Sequence, residues 1–239
     1  MMSLPSLLER TLGPSLVERV PRDHEQSDQG FRRRRVVTAI FLVLGAGLLG
    51  LSLSVRPGAA AFYPLTLAVA AVWVVGGLLS GPLHLGYIRR GDSLRRPVLS
   101  ALAIGLAAAG IFLAGALVVR EVGPLRDYVD SVLAHARRGS LLLITVVTVA
   151  NGIAEEVFFR GGLFAAIGRR HPIVISTAIY AGATLVTGNP MLVFAAVTLG
   201  FVLALQRRAS GGILAPAITH VTWSMTMLFL LPLIFAVPR

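Results

Sequence analysis

Leu141-Leu-Leu-Ile-Thr-Val-Val-Thr-Val-Ala-Asn151-Gly-Ile-Ala-Glu155-Glu156-Val-Phe-Phe-Arg160-Gly-Gly-Leu-Phe164 is an apolar run with one charged cluster inside it. About 20 apolar residues suffice to cross the hydrocarbon core of a bilayer as a helix. This run is long enough, so the two adjacent carboxylates and the arginine one helical turn later fall at bilayer depth. Charge costs several kcal/mol there, and a chain that keeps it there uses it, most often for function.

The rest of the chain has the same character. Of 239 residues, 55% are hydrophobic and 14% charged, which excludes a disordered chain and is unusual for a soluble one. Residues 36–55, 57–88, 97–119, 171–206 and 209–238 contain no Asp, Glu, Lys or Arg. They predict an all-α, polytopic transmembrane bundle of about seven spans: 36–55, 61–80, 98–119, 140–166, 173–187, 191–206 and 212–237. The fifth and sixth are short and meet at Gly188-Asn189-Pro190, which reads as a tight hairpin of tilted or partly sheltered helices. Three regions follow: a cytoplasmic tail over 1–35, the first spans and an interfacial helix over 36–139, and a core over 140–239 that carries the charged cluster.

The net charge is +11, and every basic residue is arginine. These arginines flank apolar segments, so they read as topology signals and lipid contacts and not as a nucleic-acid surface. With the N-terminus in the cytoplasm, Arg32–Arg35, Arg89, Arg90, Arg95, Arg96, Arg169, Arg170, Arg207 and Arg208 all fall inside. The expected location is therefore the cell membrane, multi-pass. Cysteine is absent, which excludes disulfides and cysteine-ligated metals. The first 35 residues lack the continuous apolar core of a cleaved signal peptide. Leu4, Leu7, Leu8, Leu12, Leu16, Val17 and Val20 fit either an amphipathic surface helix or a tail. Val129, Val132, Leu133 and Ala136 share a face of a short interfacial helix. Gly77 and Gly81 suit helix packing, with a homodimer as the alternative.

Polar groups gather on three spans. Thr148, Asn151 and Glu155 share a stripe of span four. Arg160 is the i+4 neighbour of Glu156, so this pair is expected to form and to leave Glu155 facing span seven. Span five carries Thr177, Tyr180, Thr184 and Thr187. Span seven carries His220 and Ser224, with Pro216 expected to kink it one turn earlier. At about 1.5 Å per residue, Glu155, Thr184 and His220 lie at similar depth. Two carboxylates, an arginine and a histidine suit three chemistries: water activation for hydrolysis, proton-coupled transport, or a structural buried ion pair.

Glu155-Glu156-Val-Phe-Phe-Arg160 resembles the EExxxR motif of the CAAX prenyl endopeptidase family, which includes CAAX proteases and bacteriocin-processing enzymes. Gly161-Gly-Leu-Phe164 and the approach Leu205-Gln-Arg-Arg-Ala-Ser-Gly-Gly-Ile-Leu-Ala-Pro-Ala-Ile-Thr-His220 resemble the family as well, so the likeness covers roughly 140–230. It implies an intramembrane peptidase acting on a peptide or protein substrate in the lipid bilayer. It also implies that Glu155 activates water, that Glu156 and Arg160 support it, and that His220 is catalytic or a ligand. Two positions depart from the pattern. The second motif, an aromatic followed four residues later by His, reads Tyr180 to Thr184. The third, HxxxN, reads His220 to Ser224. A hydroxyl at Ser224 still donates a hydrogen bond, whereas Thr184 cannot shuttle a proton near neutral pH and is a poor zinc ligand. No cofactor is expected. If zinc were held, Glu155, Glu156 and His220 would be its ligands. His24, His84, His135 and His171 read as surface or interfacial residues. Trp73 and Trp223 read as packing groups, with a substrate-wall role as the alternative for Trp223. The competing function is a family member without activity, serving as a membrane scaffold, partner-binding or immunity protein.

Overall fold

The computed structural model describes residues 12–21 and 25–236. Leu4, Leu7, Leu8 and His24 lie outside the described residues. Among the described residues, six helices are long and apolar enough to span a membrane: α1 (Asp28–Ser54), α2 (Phe62–Ser80), α3 (Val98–Val119), α5 (Leu141–Ile167), α7 (Pro190–Ser210) and α8 (Leu214–Phe235). The amphipathic α4 (Gly123–Arg138) and the shorter apolar α6 (Pro172–Leu185) complete the bundle. The chain is thus an all-α multi-pass membrane protein.

Two boundaries move. The first spanning helix starts at Asp28, well before Arg32–Arg35, because Ser27 caps it: the Gly30 N–H donates to Ser27 Oγ at 3.2 Å. An oxygen at that position satisfies a donor that a helix start otherwise leaves bare. The four arginines therefore lie on the helix, not before it. The fifth expected span yields the 14-residue α6, about 21 Å at 1.5 Å per residue and short of a hydrocarbon core. It still joins both ends of the bundle, because Asn189, just beyond it, donates to Tyr128 O on α4 at 2.8 Å. The same Asn189 caps α7 by accepting from the Met191 and Leu192 N–H groups. A further element was not expected: Ile88–Arg90 pairs antiparallel with Ser93–Arg95 around Gly91, whose φ is 62°.

One end of the bundle collects most of the arginines and is tightly closed. Arg34 donates to Ser80 Oγ and Pro82 O, and Arg35 to Ala166 O. The Ile213 and Leu214 N–H groups donate to His84 O and Leu85 O. Residues 12–21 dock here too, through Val20 N–H to Ala209 O at 3.2 Å. Burial, then the charges of Arg207 and Arg34, hold the His84 imidazole below its ordinary pKa. Gly86 has φ 82°, and a Cβ on it would come within 2.5 Å of Gly212 N and Ser210 O. Gly86→Ala is therefore expected to destabilise the fold by about 1–3 kcal/mol, through overpacking and a left-handed backbone. Thermal unfolding in detergent measures it, and an unchanged midpoint would contradict this close backbone approach.

The other end is covered by α4. Val129 and Leu133 pack with Ala116 and Phe235, and Ala136 packs with the Phe62–Ile144 cluster. His135 does more than lie at the surface: its Nε2 is 3.1 Å from Val55 O, and its ring stacks on Phe62 at 4.7 Å. Gly77 and Gly81 are used within the chain, where added Cβ atoms would meet Val157 and Arg34. Trp73 is buried against Phe158 and Phe159. Pro216 does not kink its helix. It lies in the first turn of α8, where a missing N–H has no helical partner to lose.

Candidate functional site

Helix α5 changes register at the glutamates. It is α-helical to Glu155, has π-type hydrogen bonding over Glu156–Leu163, and resumes α geometry at Phe164. The Phe164 N–H donates to Phe159 O, five residues back. Arg160 O thereby loses its ordinary helical donor, and it accepts from Arg207 Nε of α7 at 2.6 Å. A π turn inside an α-helix frequently marks a functional site, and here it anchors the arginine of the cluster to a second helix.

Glu156 and Arg160 are both buried, at 0% and 1% exposure. Arg160 Nη1 donates to Glu156 Oε1 at 2.9 Å, and Nη2 donates to Gly200 O at 3.0 Å. The guanidinium also lies over the Tyr180 ring, 4.6 Å from its centroid. His220 Nδ1 sits 2.8 Å from that same Glu156 oxygen. The spacing expectation for Glu156 and Arg160 matches the geometry, but the partner assigned to span seven differs: His220 bonds Glu156, not Glu155. Neighbouring positions on a helix are about 100° apart, and α8 packs on the Glu156 side.

Glu155 bonds elsewhere. The Tyr180 hydroxyl donates to Glu155 Oε2 at 2.5 Å. Thr184, which stands where the family motif has histidine, donates to Tyr180 O of its own helix at 2.9 Å. Asn151 donates to Thr66 O and Val147 O, tying α5 to α2. His220 is fixed from behind: its neighbour Thr219 donates to Ala101 O on α3 and accepts from Gln206 on α7. Gln206, Thr219 and Arg207 are supports that spacing gave no reason to pick.

Glu155, Tyr180, Thr184, His220, Trp223, Ser224 and Asn151 all line one cavity of about 380 Å³. Glu156 and Arg160 lie behind its wall. Thr177 is buried and does not line it. Trp223 contacts Phe112 at 5.1 Å between ring centroids and forms part of the cavity wall. Two groups keep capacity toward the cavity: Glu155 Oε1 and His220 Nε2, neither of which has a protein hydrogen-bond partner among the described residues.

This donor set does not suit a catalytic zinc. Three protein ligands are usual, and among the described residues no three His, Cys, Asp or Glu side chains are grouped to hold a metal ion. Glu156 Oε2 is buried without a protein partner among the described residues. Its other oxygen, however, is shared by Arg160 and His220, and a guanidinium there opposes a dication. His84, His135 and His171 contribute no ligand to the cluster.

No curated protein and no solved structure matches the chain. A family model described as Rce1-like, Type II CAAX prenyl endopeptidase, matches residues 137–226. That segment contains every side chain of the cluster, and over it the chain is similar to the Type II CAAX prenyl endopeptidases.

Proposed function

We propose that the cavity hydrolyses a peptide bond of an apolar segment, using water activated by Glu155. One observation carries this reading: Glu155 and His220 line the same cavity, each with one polar atom that has no protein partner among the described residues. Glu155 takes a proton from water, and the water oxygen attacks the scissile carbonyl carbon. The oxyanion is met by Nε2–H of His220 and the Ser224 hydroxyl one turn further along α8, each such donor contributing roughly 10²–10³ in rate. Glu156 accepts from Nδ1 and balances the charge on the imidazole. The proton on Glu155 passes to the leaving amine as the C–N bond breaks. Metal takes no part in this scheme, and the partner it calls for is a peptide or protein substrate in the membrane.

The Tyr180 hydroxyl orients Glu155. Tyr180→Phe keeps the ring contacts with Phe159 and Arg160 and removes one hydrogen bond to a carboxylate. Hydrolysis is expected to fall roughly tenfold to a hundredfold, with no comparable loss of stability. An unchanged rate would remove Tyr180 from the site.

The test is hydrolysis of an apolar fluorogenic peptide by the purified full chain, with His220→Ala and a chelator in parallel. The scheme predicts loss in the variant and full activity with chelator; loss with chelator that zinc restores would overturn the metal-free part. A second reading has its own observation. Thr184 turns its hydroxyl to its own backbone, as in a member that has lost activity and serves as a membrane scaffold, partner-binding or immunity protein. That reading predicts no hydrolysis in the wild type.

A further inference from the structure

The cavity at Glu155 is closed toward one end of the bundle and adjoins a second hollow toward the other. On the arginine-rich side, Gly86 and Gly212 meet backbone to backbone, and Arg207 is held on Arg160 O. A hollow of about 280 Å³ beside this closure, against Val20, His84 and Ser210, shares no lining residue with the cavity. On the α4 side the situation is opposite. A second hollow of about 560 Å³ lies between α4, the α1–α2 connection and the α6–α7 turn, and Leu53, Val132, His135, Thr187 and Leu192 form walls of both spaces. The two spaces adjoin across these five side chains and together form a candidate path from the bundle end to the carboxylate. Its rim is polar, with Arg56, Asp127 and Asn189. Its shaft is apolar, with Val147, Leu199 and Leu228.

We infer that the site is entered from the α4 end, and that this end faces away from the cytoplasm. The second part follows from charge: Arg32–Arg35, Arg89, Arg90, Arg207 and Arg208 gather at the closed end, and arginine-rich ends stay cytoplasmic. The substrate class is then an apolar peptide segment presented from the extracytoplasmic side, its polar flank at the rim and its apolar residues in the shaft. The substrate class rests on the peptidase reading above; the side of entry does not.

The chain has no cysteine, so single-cysteine variants report without background. Spheroplasts expressing Ser131→Cys (rim), Met227→Cys (shaft) or Ser93→Cys (arginine-rich end) are treated with a membrane-impermeant maleimide, before and after permeabilisation. The expected result is labelling of Ser131→Cys and Met227→Cys in intact spheroplasts, and of Ser93→Cys only after permeabilisation. Labelling of Ser93→Cys in intact spheroplasts would overturn the orientation. Met227→Cys reacting only after permeabilisation, or never, would overturn the path past α4. A membrane-impermeant fluorogenic apolar peptide is added to spheroplasts carrying the wild type or Glu155→Gln. Hydrolysis by intact wild-type spheroplasts alone supports the substrate class, and hydrolysis confined to permeabilised ones overturns it. No hydrolysis in either state sinks the peptidase reading, while the labelling pattern still decides the side of entry.

Discussion

Glu155→Gln is expected to lower peptide hydrolysis by roughly 10²–10⁴-fold, the contribution of a positioned general base. Glutamine keeps the size of the side chain, and its amide oxygen still accepts from the Tyr180 hydroxyl that now meets Glu155 Oε2. The charge removed is not the one buried against Arg160, because that guanidinium bonds Glu156. Stability should therefore change little while turnover collapses. Initial rates and thermal unfolding on the same preparation separate the two effects. A variant that loses activity only in proportion to its loss of folded protein would contradict a chemical role for Glu155.

Arg160→Met should show the reverse pattern, with a large effect on the fold itself. Arg160 neutralises a carboxylate at 0% exposure, reaches Gly200 O and lies over Tyr180. Removing one partner of a buried pair leaves an uncompensated charge and costs about 3–5 kcal/mol, whereas replacing both partners together can be nearly neutral. The single variant should express poorly or unfold at markedly lower temperature. Glu156→Gln combined with Arg160→Met should recover much of that loss without restoring hydrolysis, because His220 Nδ1 no longer meets a carboxylate. If the single variant unfolds at the wild-type temperature, the pair is not what holds α5 to α7 and α8.

The membrane-spanning bundle was legible in the sequence because long charge-free runs admit almost no other fold. The Glu156–Arg160 pair was legible because i+4 neighbours on a helix meet whatever surrounds them. Other features depend on contacts between helices, which spacing does not encode. His220 bonds Glu156 because α8 packs on that side of α5, and Arg207 reaches Arg160 O only because α5 takes a π turn there. Tyr180 was expected as a support from its place in the second motif, but its hydroxyl bond to Glu155 depends on how α6 faces α5. The role of α4 as a cover was half visible: the shared face of Val129, Val132, Leu133 and Ala136 predicted a surface helix, but not that the helix shields a cavity reaching Glu155. His135 was read as interfacial for want of any local signal, and the cavity wall it forms exists only once α1, α2 and α4 are assembled.

The most direct test of water activation by Glu155 is mass spectrometry of the cleavage product formed in ¹⁸O-labelled water. The wild type is predicted to yield a new C-terminal carboxylate carrying the label, and Glu155→Gln to yield essentially no product in the same time. Product from Glu155→Gln at the wild-type rate, or unlabelled product from the wild type, would contradict hydrolysis by water activated at this carboxylate.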